Sequence, residues 1–516
     1  MGRIWRIPRI AGLTACRRIS GMPDVTRTPV RSAVVDLGSN SVRLVVFEGL
    51  GRNPLAIFNE KAVLRLGRGL QSTGRLNAEG MLQALPVLGR YHAIARAMEA
   101  APFEVLATAA VRDATNGPEF VAAVQERMPD TPIRVLSGRE EAALSAEGLL
   151  SGVPDADGML ADIGGGSLEL VRLAGGGTRA AVTLRLGVIR LSDRAGGDLA
   201  RAREIAEADL AEVEWLGEAR GRTLYLVGGA WRALARVQMG RTGYPLAIVN
   251  GYALTADKAL GLAEMVAGLR GKALERLAGV PRRRAEDLPY AAVVLRQLLR
   301  ATEARQVSFS ANGLREGWFL RLVPAAVREA DPLLASARDL ARQLGRDATL
   351  PPRLFGWTAP VFAPERPAES RLREAACWMS DVGSHDHPEY RAEQSFLRVL
   401  RLPGAALDHP VRAFLALAVA LRYEADPAAN FLAPARALLD AASAIRAEQL
   451  GAALRLAYTL SAGTPALLGE TRLERAPGRL GLHLAVGAGV FAGEGVTRRL
   501  ERLGQTLGLP VSVQVG

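Results

Sequence analysis

The sequence predicts an α/β fold that consists of two lobes, a helical domain and a small terminal α/β subdomain. Strand patterns alternate with helical patterns up to about residue 322, which is typical of layered α/β structure. A buried strand, an aspartate and a glycine turn occur together twice, at Asp36–Gly38 and at Asp162–Gly164. After Gly317 the strand patterns stop and helical patterns rich in Ala, Leu and Arg follow. The repeated pattern therefore indicates two lobes, each of which opens with a hairpin.

The two lobes are assigned to residues 32–143 and 144–322 from the order of these patterns. Short apolar runs predict the strands, and longer runs with a helical period predict the helices. In the first lobe these are strands at 33–38, 42–47, 103–107 and 133–136 and helices at 78–99 and 118–127. In the second lobe they are strands at 158–164, 167–173 and 223–227, the last of which runs into Gly228-Gly229.

The last part of the chain is predicted to hold a helical domain at residues 323–455 and a small α/β subdomain at 456–516. Long runs such as 411–423 and 434–456 have helical periodicity. The prolines at 351–352 and in the stretch 360–367 indicate loops. The final segment is predicted as strand, helix and strand at 480–486, 497–507 and 510–515.

The first 31 residues are predicted to lie outside the folded lobes. They carry arginines at positions 3, 6, 9, 17, 18, 27 and 31, with Asp24 as the single acid. The apolar stretch before Cys16 is interrupted by Pro8 and Arg9, so it is too short for the core of a signal peptide. We therefore expect a disordered tail or an over-extended gene start, with Met22 as a sensible true start.

The composition excludes some classes of protein but does not identify the ligand. The formal net charge of +12 attracts polyanions, but an arginine-rich genome explains it equally well, so nucleic acid, anionic lipid and polyphosphate all remain open as partners. Two cysteines, Cys16 and Cys377, exclude a disulfide framework. No apolar run approaches the ~18 residues that span a bilayer. These features predict a cytoplasmic protein without a membrane span.

Both predicted hairpin turns contain residue types that bind phosphate. The first reads DLGSNS from Asp36, and the second reads DIGGGSLE from Asp162 to Glu169. Backbone N–H groups in such turns bind anions, and glycines let the backbone approach a phosphate closely. Asp162 and Glu169 are hard oxygen ligands of the kind that Mg²⁺ prefers. Either motif alone is equally well an ordinary turn, but two of them, one in each lobe, favour a shared phosphate site.

A third motif lies where the chain crosses between the lobes. It reads SGREEA from Ser137, and its carboxylates Glu140 and Glu141 lie at the expected hinge. A carboxylate there can take a proton from an attacking water. Considered alone, two acids at the start of an exposed helix are the simpler interpretation, because acids favour that end of the helix dipole. Arg112 follows a strand of the first lobe and can neutralise phosphate charge.

These motifs together resemble the exopolyphosphatase and guanosine pentaphosphate phosphohydrolase family, within the superfamily of sugar kinases, heat-shock ATPases and actin. The matching segments are DLGSNSVRLVVFEG, ATAAVRDATN, VLSGREEAALSAEG, ADIGGGSLELV, LRLGVIRL, VGGAWRALAR and SANGLREGW. They keep the family's order and spacing from about Ala33 to Trp318. The resemblance implies two actin-like (ribonuclease H-like) ATPase-type lobes.

The resemblance also implies a role for each matching residue. Glu141 matches the family's catalytic base, and Asp162 and Glu169 match its carboxylates that hold Mg²⁺ (or Mn²⁺) and position water. Asp36 is similar to the first-motif aspartate, which reaches the metal through water. Leu168, where the family often has threonine, is expected to face outward. The residues that match phosphate contacts are Ser39, Asn40, Arg112, Gly164, Gly165, Gly166 and Ser167.

The helical domain resembles a degenerate HD-type phosphohydrolase domain. An active HD site needs a His-Asp pair, but Ser380 stands before Asp381 here. A metal site built from Asp381, His385 and His387 is an alternative, although such sites need several convergent ligands with supporting partners. A polar loop is the simpler interpretation. The size of the domain also leads us to expect a homodimer.

The resemblance implies a processive exopolyphosphatase that acts on inorganic polyphosphate, without specific nucleic-acid binding. Three alternatives stay open. Guanosine pentaphosphate 5′-phosphohydrolysis would use the same cleft. A kinase is disfavoured because Ala230, Trp231 and Arg232 are bulkier than an adenosine-holding glycine loop. A non-enzymatic alarmone sensor is disfavoured by the retained acids.

Overall fold

The structure is a computed structural model that describes residues 30–277, 279, 285–404, 406–485, 487, 489 and 492–515. The tail predicted at residues 1–31 lies outside the described residues except for Val30 and Arg31. Among the described helices, none is both long enough and apolar enough to cross a membrane.

The first lobe is built around a five-stranded sheet. Its elements are β1 (Arg31–Leu37), β2 (Ser41–Glu48), β3 (Leu55–Val63), α1 (Leu70–Thr73), α2 (Ala78–Ala97), β4 (Phe103–Ala107), α3 (Ala109–Asp113), α4 (Gly117–Arg127), β5 (Ile133–Val135) and α5 (Gly138–Gly152). The strand order is β3-β2-β1-β4-β5. The first three strands form an antiparallel meander, and β4 and β5 continue parallel to β1. Central strand β1 is a continuous buried apolar run from Ala33 to Val35, as strands covered on both faces require.

The second lobe repeats this arrangement. Its elements are β6 (Gly158–Ile163), β7 (Leu168–Ala174), β8 (Gly177–Leu184), α6 (Val188–Ala195), α7 (Leu199–Ala211), β9 (Thr223–Val227), α8 (Gly229–Thr242), β10 (Tyr252–Thr255), α9 (Ala256–Gly268), α10 (Gly271–Glu275), α11 (Leu288–Thr302), β11 (Gln306–Phe309) and α12 (Leu314–Leu322). The strand order is β10-β11-β9-β6-β7-β8. Strands β6, β7 and β8 form the meander, β9 and β11 run parallel to β6, and β10 adds an antiparallel edge. The predicted fold class, with two lobes of one α/β type, is confirmed.

Helices α5 and α12 cross with their backbones in contact at the junction between the lobes. A Cβ atom added to Gly148 would lie 2.0 Å from the carbonyl oxygen of Gly313. One added to Gly317 would lie 1.9 Å from the carbonyl oxygen of Leu144. Only glycine allows this approach, so these two positions set how closely the helices pack.

The C-terminal region is helical and ends in a three-stranded sheet. Its elements are α13 (Ala325–Arg328), α14 (Pro332–Leu344), α15 (Leu350–Phe362), α16 (Pro367–Met379), α17 (Arg391–Leu400), α18 (His409–Arg422), α19 (Ala433–Arg436), α20 (Ala441–Ser461), α21 (Pro465–Gly469), β12 (Thr471–Ala476), β13 (Arg479–Leu484), α22 (Glu494–Leu507) and β14 (Val511–Val515). The sheet order is β12-β13-β14. Residues of the helices, such as Leu450 and Leu454, share one hydrophobic core with Leu482 of the sheet and Leu500 of α22.

Several local predictions are wrong or missed. Pro351, Pro352 and Pro360 were predicted to lie in loops, but all three lie within α15. Pro351 and Pro352 are tolerated in the first turn, because the N–H group that proline lacks would have no partner there, whereas Pro360 lies inside the helix near its end. Strands β3 and β8 were not predicted, because they lie at sheet edges and contain no fully buried residue, so they lack the apolar pattern.

Asp381 forms ion pairs with two arginines within the helical region. Arg346 donates to it through Nε at 2.9 Å and through Nη2 at 2.8 Å. The guanidinium of Arg422 lies 3.4 Å from the same carboxylate and stacks on the rings of Tyr423 and Tyr458, at 3.8 Å and 3.6 Å from their centroids. Within the described part of the chain, no group of three His, Cys, Asp or Glu residues converges to hold a metal here or elsewhere. An internal arginine pair therefore neutralises Asp381, and the polar-loop interpretation of His385 and His387 is the better one.

We expect Asp381→Asn to lower the free energy of unfolding by about 3 kcal/mol or more, because it leaves the buried Arg422 without its counter-charge. The measurement is urea-induced unfolding followed by tryptophan fluorescence. The control is Arg366→Ala, which removes an exposed ion pair with Glu369 and should leave the unfolding midpoint unchanged. An Asp381→Asn midpoint equal to that of the wild type would contradict the buried network.

Candidate active site

The two predicted phosphate-binding turns meet across a cleft between the lobes. A Cβ atom added to Gly166 would lie 2.7 Å from Ser39 Oγ, and one added to Gly165 would lie 3.0 Å from Ser39 Cβ. These glycines are therefore needed for the turns to touch, whereas a Cβ on Gly164 would meet only ordinary contacts. The cleft encloses about 160 Å³. The predicted site residues that line it are Asp36, Ser39, Asn40, Glu141, Asp162, Gly164, Gly165, Gly166 and Ser167.

Hairpin register places Asp162 and Glu169 side by side. The two residues are direct partners across β6 and β7, so their side chains point to the same face of the sheet. Glu169 lies behind the cleft and is 1% exposed, and its Oε1 has no hydrogen-bond partner among the described residues. Burial, and then the charges of Glu141 and Asp162, raise the pKa of Glu169 well above its ordinary range. Asp162 Oδ2 accepts a hydrogen bond from Ser145 Oγ.

Glu141 lies in the first turn of α5 and reaches the cleft wall. The helix begins with a capping box between Ser137 and Glu140, which leaves the Glu141 side chain free to point inward. Arg112 Nη1 lies 3.1 Å from Glu141 Oε2. Burial raises the pKa of Glu141 to about 7; the attraction of Arg112 opposes this rise, and the charge of Asp162 adds to it. A carboxyl group that titrates near neutral pH is suited to accept a proton.

The acidic cluster fits a divalent cation that is held largely through water, because no three of the described His, Cys, Asp or Glu residues converge into a ready-made metal cage. Burial raises the pKa of Asp36 and of Asp162, because the ionised carboxylates lie in a site of low polarity. A bound cation would stabilise their ionised forms. The partnerless Oε1 of Glu169 adds an oxygen donor that the protein itself leaves unsatisfied. Mg²⁺ keeps several waters and takes only one or two carboxylates from a protein, so a complete protein cage is not required.

Two predicted phosphate contacts are engaged in protein contacts instead. Asn40 Nδ2 donates to Asp287 Oδ2 in the second lobe at 3.1 Å. Arg112 pairs with Glu141 and lines an adjoining cavity rather than the cleft itself. Leu168 was expected to face outward, but it is fully buried in the core of the second lobe, so that expectation is wrong. Trp231 also lies in that core and not in the cleft. Of the three residues Ala230, Trp231 and Arg232, only Arg232 places a large side chain in the cleft.

Sequence reasoning missed several polar residues of the site, and five of them either carry positive charge or contact the acids directly. Ser145 lies one helical turn after Glu141, so the spacing already indicates that both side chains lie on the same face of the helix. Arg43 follows Asp36 by the same seven positions that separate Asp162 from Glu169. The other three residues are Lys61, Arg232 and Arg315. They lie on elements whose relative placement the sequence does not reveal.

Comparison with known proteins identifies relatives of the chain. The family model for the Ppx/GppA phosphatase family matches residues 45–326, more than half of the chain, and the one for the exopolyphosphatase C-terminal region matches residues 333–513. Exopolyphosphatase 2 of Mycobacterium tuberculosis is 27% identical over 314 residues, which cover 57% of this chain and 98% of the relative. Exopolyphosphatase 1 of Mycobacterium bovis is 29% identical over 307 residues, which cover 57% and 88%.

A solved structure supports the fold. The crystal structure of an exopolyphosphatase from Cytophaga hutchinsonii matches with a TM-score of 0.53 at 22% identity. The match covers 57% of this chain and 97% of that structure. At this level of identity the likeness establishes the shared fold alone.

We expect Gly187→Ala to disturb the second phosphate turn. Gly187 has an ordinary helical-cap conformation, but an added Cβ would lie 2.3 Å from the backbone nitrogen of Ser167. The turn must shift, and lost contacts to a charged ligand should raise the Kd for tripolyphosphate about tenfold or more. Calorimetric titration measures this. Gly261→Ala on α9, where an added Cβ meets open space, should bind normally; equal affinity in both variants would contradict the assignment.

Proposed function

The chain belongs to the Ppx/GppA phosphatase family, and we propose that it is an exopolyphosphatase that hydrolyses the terminal phosphate of inorganic polyphosphate with Mg²⁺. Membership of that family makes it a phosphatase hydrolase. The observation that carries the proposal is the position of Glu141, a carboxyl group with a pKa raised to about 7, beside two phosphate-type turns in one cleft. The exopolyphosphatase relatives support the choice of substrate.

In this proposal the terminal phosphoryl group lies between the two turns. Ser39 and the backbone N–H groups from Gly165 to Ser167 hold its oxygens, whereas the N–H group of Gly164 closes the turn by donating to the carbonyl oxygen of Ser167. Glu141 accepts a proton from a water whose oxygen forms a new bond to the terminal phosphorus. The P–O bond to the next phosphoryl group breaks, so the products are orthophosphate and a chain shortened by one unit. Phosphoryl transfer needs positioning and charge neutralisation more than covalent chemistry, and this site supplies both.

Arg112 orients the base in this mechanism. It holds Glu141 through Nη1 and also donates to the carbonyl oxygen of Leu136 at 3.0 Å, which fixes the guanidinium. Its positive charge limits the rise in the pKa of Glu141, so the carboxylate form remains accessible near neutral pH. Arg112 therefore acts as a positioning residue.

Asp162 and Glu169 would hold the metal ion, and Asp36 would reach it through water. When bound, Mg²⁺ (or Mn²⁺) would neutralise phosphate charge and polarise the phosphoryl oxygens. Ser145 fixes the orientation of Asp162 through its hydrogen bond.

We expect Glu141→Gln to slow phosphate release from long-chain polyphosphate by about 10²–10⁴-fold, because the amide accepts no proton from water. The matched control is Glu140→Gln on the same helix turn, where Glu140 is exposed, closes the capping box and pairs with the exposed side chain of Arg134. That variant should release phosphate at nearly the wild-type rate. Near-normal turnover by Glu141→Gln would refute its role as the base. Guanosine pentaphosphate and ATP, assayed beside polyphosphate, decide which substrate is preferred.

Removal of divalent metal should abolish phosphate release. We expect a chelator to stop turnover and added Mg²⁺ or Mn²⁺ to restore it, with Asp162→Asn requiring more Mg²⁺ for half-maximal rate because one anionic oxygen ligand is lost. The measurement is the rate as a function of free Mg²⁺. Full activity in the presence of the chelator would contradict a metal-dependent mechanism.

A further inference from the structure

A series of ion pairs connects Glu141 with the second lobe, and the mechanism above uses only the first of them. Arg112 holds Glu141 through Nη1 at 3.1 Å. Nε of the same guanidinium donates to Asp113 Oδ1 at 3.1 Å. The other carboxylate oxygen of Asp113 lies 2.7 Å from Nη1 of Arg190. We call Asp113 and Arg190 the relay pair, because they continue the contacts of Arg112 into the other lobe.

The relay pair crosses the boundary between the lobes. Asp113 is the last residue of α3 in the first lobe, and Arg190 lies in the first turn of α6 in the second lobe. Asp113 offers one oxygen to each arginine, so two cations that would otherwise repel each other share one counter-charge. The contact between the lobes therefore bears directly on the position of Arg112.

Asp113 determines how the Arg112 guanidinium is turned. Nη1 of Arg112 donates both to the carbonyl oxygen of Leu136 and to Glu141. Two bonds from one nitrogen still allow the rest of the guanidinium to swing about that nitrogen. The bond from Nε to Asp113 removes this freedom. The direction in which Arg112 meets the base thus depends on Asp113.

Packing alone does not hold these side chains in place. A cavity of about 190 Å³ adjoins the cleft, and Arg112, Asp113 and Arg190 all line it. Close packing fixes side chains in a protein core, but these three face open space on one side. Arg190 is nevertheless buried, and a buried cation is costly without a counter-charge. The ion pairs therefore set the positions of all three side chains.

Arg190 also supports the second phosphate turn through its backbone. The N–H groups of Ile189 and Arg190 donate to the carbonyl oxygen of Gly165 at 3.0 Å and 3.1 Å. The N–H group of Val188 donates to the carbonyl oxygen of Gly164 at 3.1 Å. One residue thus holds the turn with its backbone and reaches towards the base with its side chain. A displacement of the turn must move the relay pair as well.

We propose that Asp113 and Arg190 are positioning residues that couple the second phosphate turn to Glu141, so that contact between the lobes aligns the base. This inference rests on the proposed function, in which Glu141 is the base. The relay pair lies outside the cleft lining, so it acts through Arg112 and not on the substrate. It should therefore affect the rate of the chemical step more than the binding of polyphosphate.

The first test compares kcat and KM for long-chain polyphosphate. Asp113→Asn keeps the shape of the side chain but removes the charge that the two arginines share. We expect kcat to fall about tenfold or more, because a base that is held out of position loses much of its effect. KM should stay close to the wild-type value, since Asp113 does not line the cleft. A merely structural role would lower stability without separating kcat from KM in this way.

The second test asks whether both members of the relay pair act through Arg112. Arg190→Gln should lower kcat as Asp113→Asn does, and the double variant should lose no more than either single variant. The matched control is Arg194→Gln, one turn further along α6, where the arginine pairs with Asp209 of the same lobe. It removes the same charge and should keep the wild-type kcat. Equal kcat in Arg190→Gln and Arg194→Gln, or losses that multiply in the double variant, would overturn the proposal.

A third measurement does not depend on activity. In protein labelled with ¹⁵N-arginine, the Nε–H group of Arg112 should exchange slowly with solvent because it donates to Asp113. The signal is assigned by its loss in Arg112→Lys. We expect Arg190→Gln to speed this exchange about tenfold, because the carboxylate that accepts the bond loses its second anchor, and Arg194→Gln to leave it unchanged. Equal exchange in the two variants would overturn the relay.

The outcomes for the relay and for the proposed function are separable. If wild-type protein releases no phosphate but Arg190→Gln still speeds the exchange at Arg112, the hydrolase proposal fails and the relay stands. If wild-type protein hydrolyses polyphosphate while Arg190→Gln changes neither kcat nor the exchange, the relay fails and the hydrolase proposal stands.

Discussion

The gathering of four carboxylates beside one cleft, two buried and two partly buried, is the constraint on which the rest of the site depends. These are Asp36, Glu141, Asp162 and Glu169. Each is desolvated, and the like charges disfavour ionisation further. The fold offsets this cost with donors from separate elements: Arg112 at Glu141, Arg315 at Asp36 and Ser145 at Asp162. The negative charge that these donors leave uncompensated is most evident at Glu169, whose Oε1 has no hydrogen-bond partner among the described residues. This charge is the physical reason why a divalent cation and its phosphate ligand suit the cleft.

Bringing these acids together requires two close approaches of backbone, and glycine makes both possible. The turns of the two hairpins touch where Gly165 and Gly166 face Ser39. Helices α5 and α12 touch where Gly148 and Gly317 face carbonyl oxygens. The first contact closes the phosphate end of the cleft, and the second fixes the helices that carry Glu141 and Arg315. Glycines of the motifs thus act through lobe packing as well as through space for a ligand.

The helical domain solves a similar charge problem in a different way. Its buried Asp381 is neutralised by Arg422 and Arg346, and aromatic rings cover the Arg422 guanidinium. The counter-charge there is part of the chain, so no ligand is needed. In the cleft between the lobes, by contrast, Arg315 and Arg112 pair with Asp36 and Glu141, but Glu169 keeps a buried oxygen without a hydrogen-bond partner among the described residues. An unsatisfied buried oxygen beside an open cleft distinguishes this charge cluster from the closed one around Asp381.

The sequence by itself determined the α/β class, both Asp–x–Gly hairpins and the acids that meet in the cleft, because strand runs, turns and helix starts are local patterns. It did not determine the partly exposed strands β3 and β8 or the helix at Pro351, since tertiary contacts outweigh local preference there. Tertiary structure alone decided that Asn40 binds Asp287, 247 positions away, and that Arg232 and Lys61 line one cleft. Such contacts depend on how the lobes pack against each other. A pattern within one segment contains no information about which distant residues that segment will contact.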